Sequence, residues 1–66
     1  MKFEDFGINL AKARIKAGLS AYELSLQLGK DASYINKAEN HKINPSLKTI
    51  LAICELLKIN ARDLFL

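Results

Sequence analysis

The sequence predicts an all-α domain of five helices. Helix-start signatures recur along the chain, apolar residues fall at spacings of three and four, and no segment alternates apolar and polar residues as a half-buried strand would. The stretch from Leu19 to Asn40 adds a more specific arrangement, two capped helical patterns separated only by Leu28, Gly29 and Lys30. A break that short makes the second helix cross the first steeply.

Each element has its own justification. Phe3, Phe6, Leu10 and Ala13 or Ala17 give the first helix an apolar stripe, and Gly18 stands just past its end. Gly7 lies inside this helix and weakens it, which fits a place where close packing leaves no room for a side chain. Ser20 and Glu23 form a capping box at the start of the second helix, with Leu19 and Leu24 as its hydrophobic staple. Leu24 and Leu28 make its buried edge, and small Ser25 between them permits close approach of another helix. Gly29 ends the second helix and Asp31 is the expected cap of the third, with Ile35 and Ala38 inward and Ala32, Ser33, Asn36 and Lys37 outward. After the loop NHKINPS, with Asn44 or Ser46 as N-cap and Pro45 beside the helix start, the fourth helix carries Leu47, Ile50, Leu51, Ile53, Cys54 and Leu57. Its apolar surface covers more than half its circumference, which predicts the central core helix. Asn60 and Asp63 open a short fifth helix, with Ile59 and Leu64 as a second staple.

Length and composition set limits. Sixty-six residues make one domain over 1–66, with one core burying about 60% of the unfolded surface. Half the residues are hydrophobic and 26% are charged, the mix of a folding chain and not of a disordered tail. The start MKFEDF is acidic where a secretory signal needs basic residues, and no apolar run reaches the roughly 18 residues of a membrane span, so the expected location is the cytoplasm. Cys54 stands alone in ILAICELL and reads as a buried, reduced thiol. Net charge +3 gives only slight preference for a polyanionic partner.

The ordered set Phe6-Gly7, Leu10, Arg14, Leu19-Ser20, Glu23-Leu24, Gly29, Ile35, Glu39 and Pro45-Ser46-Leu47, followed by the apolar fourth helix, resembles the Cro and lambda-repressor-like (XRE-type) helix-turn-helix family over residues 6–65. The resemblance implies a five-helix, lambda-repressor-like DNA-binding domain with the helix-turn-helix at helices two and three. In such a domain the third helix lies in the major groove of double-stranded DNA. Ala32, Ser33 and Lys37 then become candidate base readers, Lys37 through guanine O6 and N7, Ser33 through several bases and Ala32 through a thymine methyl. Phosphate contacts are implied at Ser20, Ala21 and Tyr22, where the start of the second helix offers free N–H groups, and at Tyr34, Asn36 and Asn40. Lys30, Lys42 and Lys48 border that surface. Arg14 and Glu39 match positions that pair in relatives, a structural ion pair pinning the third helix to the body.

Departures from the pattern are also present. Ala21 stands where relatives often place a phosphate-binding glutamine, Ser25 replaces the usual alanine, and Ala38 is small where a larger aliphatic is common. His41 follows Asn40 where relatives usually have glycine, so the turn there needs a left-handed non-glycine residue or a different path. A single reading helix offers few contacts, so a homodimer repressor on a palindromic operator is the expected form. Leu64, Phe65 and Leu66 are the candidate dimer residues. A second reading is a protein-interaction or antitoxin-like module of the same fold, binding a protein partner with weak or secondary DNA binding. An enzyme is not expected, since His41 and Cys54 have no second His or Cys to complete a metal site or a nucleophile-base pair. Neither a cofactor nor a small-molecule ligand is indicated.

Overall fold

A computed structural model describes residues 4–65 of the chain. Four α-helices follow one another, α1 (Glu4–Lys16), α2 (Ala21–Gln27), α3 (Tyr34–Glu39) and α4 (Leu47–Leu57), and a 3₁₀ turn (Ala61–Leu64) closes the described chain. The expected fifth helix is therefore a single 3₁₀ turn. Asp63 donates its N–H to the Asn60 carbonyl three residues back, and its carboxylate accepts the Asn60 N–H at 3.1 Å, so the capping signal is real but the turn it opens closes with three-residue spacing and ends at Leu64. No helix among the described residues is long and apolar enough to cross a membrane.

The core is assembled from every element. Phe6 and Leu10 of α1, Leu24 of α2, Ile35 and Ala38 of α3, Ile53 of α4 and Leu64 of the 3₁₀ turn are all buried to within 1%. The stripe on α1 runs through half-buried Ala13 and stops there, because Ala17 is exposed; Phe3 lies outside the described residues. Packing joins α3 to both α1 and α2, and the 3₁₀ turn to α1 and α4. The packing thus centres on α1 and α3 and not on α4. In α4 only Thr49, Ile53, Cys54 and Leu57 are buried, whereas Leu47 and Leu51 remain 71% and 52% exposed. Its apolar breadth overstated its burial, since three other helices already enclose most of the interior and leave α4 one face to cover. Burial raises the pKa of the Cys54 thiol above its ordinary value, and the charge of Asp63 adds to the effect.

All four α-helices end the same way. Behind each, one N–H reaches back five residues and its predecessor reaches back three: Leu19 to Arg14 with Gly18 to Ile15, Lys30 to Ser25 with Gly29 to Leu26, Lys42 to Lys37 with His41 to Ala38, and Ile59 to Cys54 with Lys58 to Glu55. This is the Schellman pattern, which needs a left-handed residue at its pivot. Gly18 and Gly29 supply it freely at φ +78° and +73°, while His41 (φ 59°) and Lys58 (φ 58°) adopt it as non-glycine residues. The turn after Asn40 is therefore closed by a left-handed histidine.

The third helix begins later than its sequence suggests. Asp31 does not cap an α-turn directly; its carboxylate accepts the N–H and the hydroxyl of Ser33 at 2.9 and 2.7 Å, its carbonyl accepts the Tyr34 N–H, and regular helix starts only at Tyr34. The next donor, Ile35 N–H, is buried and is taken by the Ser25 hydroxyl of α2 at 2.9 Å. That hydroxyl also donates to the Ala21 carbonyl at 2.7 Å, so a fully buried serine is satisfied as donor and acceptor at once. At the other end, Arg14 of α1 holds Glu39 through two bonds, Nε to Oε2 at 2.7 Å and Nη2 to Oε1 at 3.3 Å, and its Nη1 donates to the Leu19 carbonyl at 2.9 Å. A Cβ built on Gly7 would lie 2.1 Å from the Glu39 carbonyl oxygen, so this end of α3 comes to rest on the bare backbone of α1.

The start of α4 uses Ser46, and not Asn44, as its cap; Ser46 Oγ accepts the Thr49 N–H at 3.2 Å, and Pro45 precedes the cap. At the far end, Asn9 of α1 donates to the Leu64 carbonyl at 3.2 Å and Phe65 stacks on Phe6 with ring centroids 5.4 Å apart. Leu64 is therefore a core residue, and Phe65 is half-buried against that core, so less apolar surface is left at this end than the sequence suggests. Leu66 lies outside the described residues.

Two substitutions test the pins on α3. Ser25→Ala leaves the Ile35 N–H buried without an acceptor, and its cost in urea unfolding is expected at about 1 to 3 kcal/mol. Arg14→Met strands the Glu39 carboxylate, whose side chain is 12% exposed, with an expected loss of about 3 kcal/mol, the low end for a buried pair that loses one partner. Wild-type stability in either variant would remove the corresponding pin.

Candidate nucleic-acid interface

The pins at its two ends orient α3 so that Ile35 and Ala38 face the core while Asn36 and Lys37 face outward. Ala32 and Ser33, in the turn that leads into the helix, are exposed alongside them. These four side chains form a short, low-relief surface with one positive charge, bordered by exposed Lys30, Asn40 and Lys42. The helix itself is only six residues long, so any contact it makes is concentrated within two turns.

Several of these side chains are already engaged. The Ser33 hydroxyl proton points to Asp31, which leaves the oxygen free to accept but commits its donor. The Ser33 hydroxyl, then its N–H, lowers the Asp31 pKa from 3.8, and nearby Lys37 contributes a smaller pull in the same direction. A negative charge is thus held beside Lys37. Asn40 donates its amide to the Asn36 carbonyl at 2.7 Å, closing the C-terminus of α3 with one of its two amide hydrogens. Lys30 Nζ sits 5.3 Å from the centre of the half-buried Tyr34 ring, within range of a cation–π contact that fixes where its charge lies.

The start of α2 is nearby along the chain and carries a complete capping box. Ser20 Oγ accepts the Glu23 N–H at 2.9 Å and Glu23 Oε1 accepts the Ser20 N–H at 3.0 Å. Two first-turn donors are therefore used, and by helix geometry Ala21 and Tyr22 supply the amides that remain. Hydrogen bonds from the Ser20 backbone and then its hydroxyl lower the Glu23 pKa from 4.5. An ionised carboxylate thus lies at the helix start, as the Ser20–Glu23 box in the sequence predicts, beside the amides that remain free. Ser20 and Tyr22 are exposed, the latter at 59%, and Ala21 is half-buried.

A shallow cleft of about 320 Å³ lies between the turn after α2 and the beginning of α4, lined by Leu28, Lys30, Ser46, Lys48, Thr49 and Ala52. It brings Lys48 to the same opening as Lys30, two charges that are far apart in sequence. The residue that sequence reasoning missed is Ser25: its small size was legible, its hydroxyl's role across the turn was not. The available signal was a polar side chain at a position flanked by Leu24 and Leu28 on a buried edge, where a hydroxyl has to find partners.

Comparison with known proteins gives one match. A family model described as helix-turn-helix matches residues 10–64, most of the chain. No curated protein and no solved structure matches.

The capping box gives a pH prediction with a defined sign. The folded-state pKa of Glu23 lies below its ordinary value of 4.5, so its contribution is complete above about 4.5 and is lost as pH falls through the lower folded value. Glu23→Gln keeps the acceptor without the titration. Thermal melts between about pH 5 and pH 2.5 should therefore show a smaller acid loss in Glu23→Gln than in the wild type; equal acid sensitivity would show that the box carries no pH-dependent stability.

Proposed function

The chain belongs to the helix-turn-helix family of XRE, lambda-repressor-like type, and from that premise we propose that it is a sequence-specific double-stranded DNA-binding regulator, a repressor acting in the cytoplasm as a homodimer on a palindromic operator. The observation that carries this reading is the mounting of α3. It is clamped at its start by Ser25 and at its end by Arg14 and Gly7 while Ala32, Ser33, Asn36 and Lys37 stay exposed. A helix held this rigidly with its outer face uncovered is suited to enter a major groove as one body.

Within that reading Lys37 is the main base reader, donating to guanine O6 and N7. Ser33, with its proton committed to Asp31, acts as an acceptor toward an amino group such as adenine N6 or cytosine N4. Ala32 contributes apolar contact to a thymine methyl. Lys30 and Lys42, with the amides of Ala21 and Tyr22 and the side chains of Ser20, Tyr34, Asn36 and Asn40, serve the phosphates and set register. Asp31 and Glu23 oppose part of this positive charge, so affinity leans on the few base contacts and on doubling of the site by a second subunit more than on bulk electrostatics. The role is one of binding and not catalysis.

Selection of bound duplexes from a random pool across a salt series tests this reading. A palindromic preference and a log–log salt slope of about −0.9 per phosphate neutralised are expected, and Lys37→Ala should relax preference at one position by about 1 to 3 kcal/mol. Uniform weakening by Lys37→Ala would make Lys37 a phosphate contact. No binding at low salt would replace the DNA reading with a protein-interaction or antitoxin-like module.

A further inference from the structure

We infer that the outward face of α4 is the surface on which a second copy of this chain docks. The inference rests on the DNA-binding reading above, which calls for a dimer, and it assigns the contact to residues that the sequence analysis placed in the core.

Leu47 and Leu51 are 71% and 52% exposed, the first of them more exposed than any other large apolar side chain described. They lie one turn apart on the same line of α4, and exposed Glu55 continues that line by another turn, with exposed Lys48 beside it. The buried side of the same helix is complete without them, since Ile53, Cys54 and Leu57 already meet the core. Two leucines in succession on one line of the helix are thus left to water, both more exposed than Leu56 at 39%.

The pattern along this line selects its occupant. It is apolar at one end, apolar in the middle and acidic at the other end, with a lysine flanking the apolar end. If two such helices pack antiparallel about a two-fold axis at Leu51, Leu51 meets its own copy, and Lys48 of each chain comes opposite Glu55 of the other. A two-fold contact requires a self-complementary patch of this kind, and opposite charges flanking the apolar centre fix register and reject a parallel arrangement, which would set like charges together. A connection of seven residues, 40–46, joins this helix to α3, so docking through α4 also fixes how two reading helices stand relative to each other.

The patch is small. Two leucines with the stems of Lys48 and Glu55 fall well short of the roughly 800 Å² per partner of a standard stable interface. The dimer is therefore weak in free solution, and the duplex brings the two copies together by holding both at once.

Sedimentation equilibrium on the full chain, from about 10 µM to about 1 mM at low salt, reads this directly. The wild-type mass should rise from 7.4 kDa toward twice that value as concentration increases. Leu51→Lys should stay monomeric, and Lys48→Glu and Glu55→Lys should each weaken association about tenfold or more, while the double exchange restores it to within about threefold of wild type. Circular dichroism checks that each variant is folded. A wild type that stays monomeric throughout, a Leu51→Lys variant that associates like wild type, or a double exchange that fails to restore association would each overturn the assignment. Binding to a mixed-sequence duplex of about 12 base pairs, too short for two half-sites a helical turn apart, separates this from the parent reading. If Leu51→Lys associates like wild type and both proteins bind that duplex, the α4 surface falls and the DNA reading stands. If wild type fails to bind it at low salt, the DNA reading falls whatever the sedimentation result.

Discussion

A six-residue helix does not hold its shape in water alone, because nucleating the first turn costs more than so few hydrogen bonds return. The third helix of this protein is such a helix, and the rest of the molecule is arranged to hold it. Ser25 supplies an acceptor to its buried Ile35 N–H. Arg14 ties Glu39 to α1 and, through the Leu19 carbonyl, to the entry of α2. Gly7 lets the Glu39 carbonyl come close to the α1 backbone, and Ile35 and Ala38 complete the attachment through the core. Both ends and one side are thereby held by other elements, leaving only the outward side free.

The same economy governs the turns. Closing each α-helix with a Schellman turn satisfies its last carbonyls and reverses the chain within a few residues, which is how four helices fit within extents of 28 × 24 × 20 Å. Two of the four turns use glycine, and two force His41 and Lys58 into the left-handed region at a cost of roughly 1 to 2 kcal/mol each. The His41 turn stands directly behind α3. Its strain is maintained by the clamps on Glu39 and by the packing of Ala38, and the next helix must leave in the direction that turn dictates.

Electrostatics on the exposed side follow from the same local bonds that build the structure. Glu23 is ionised because it completes the cap of α2, and Asp31 is ionised because it organises the turn before α3. Both place negative charge where a polyanion would approach, and both are needed by the fold. The positive charge available from Lys30, Lys37, Lys42 and Lys48 is therefore partly offset by residues that cannot be removed without loosening the helix they hold. The net positive charge of this surface is correspondingly small.

Helix identities were legible in the sequence because they rest on local chemistry. The Ser20–Glu23 box, the glycines at 18 and 29, the close approach at Gly7 and the apolar spacing of α1 to α3 involve residues within one or two turns of each other, or a lack of side chain visible from the residue type. The ordered motif also identified the family. What the sequence could not settle was which apolar surface is covered and which polar group is answered by a distant partner. Leu64 and Phe65 looked like uncovered ends, yet Leu64 is buried and Phe65 is half covered against Phe6 from the first helix; Leu47 and Leu51 looked like core and face water. The Ser25 hydroxyl, the left-handed backbone of Lys58 and the shortened 3₁₀ turn belong to the same group. Hydrophobic pattern and capping depend on neighbours along the chain and were determined by the sequence itself, whereas burial and long-range satisfaction depend on which elements meet, and only the tertiary arrangement decides that.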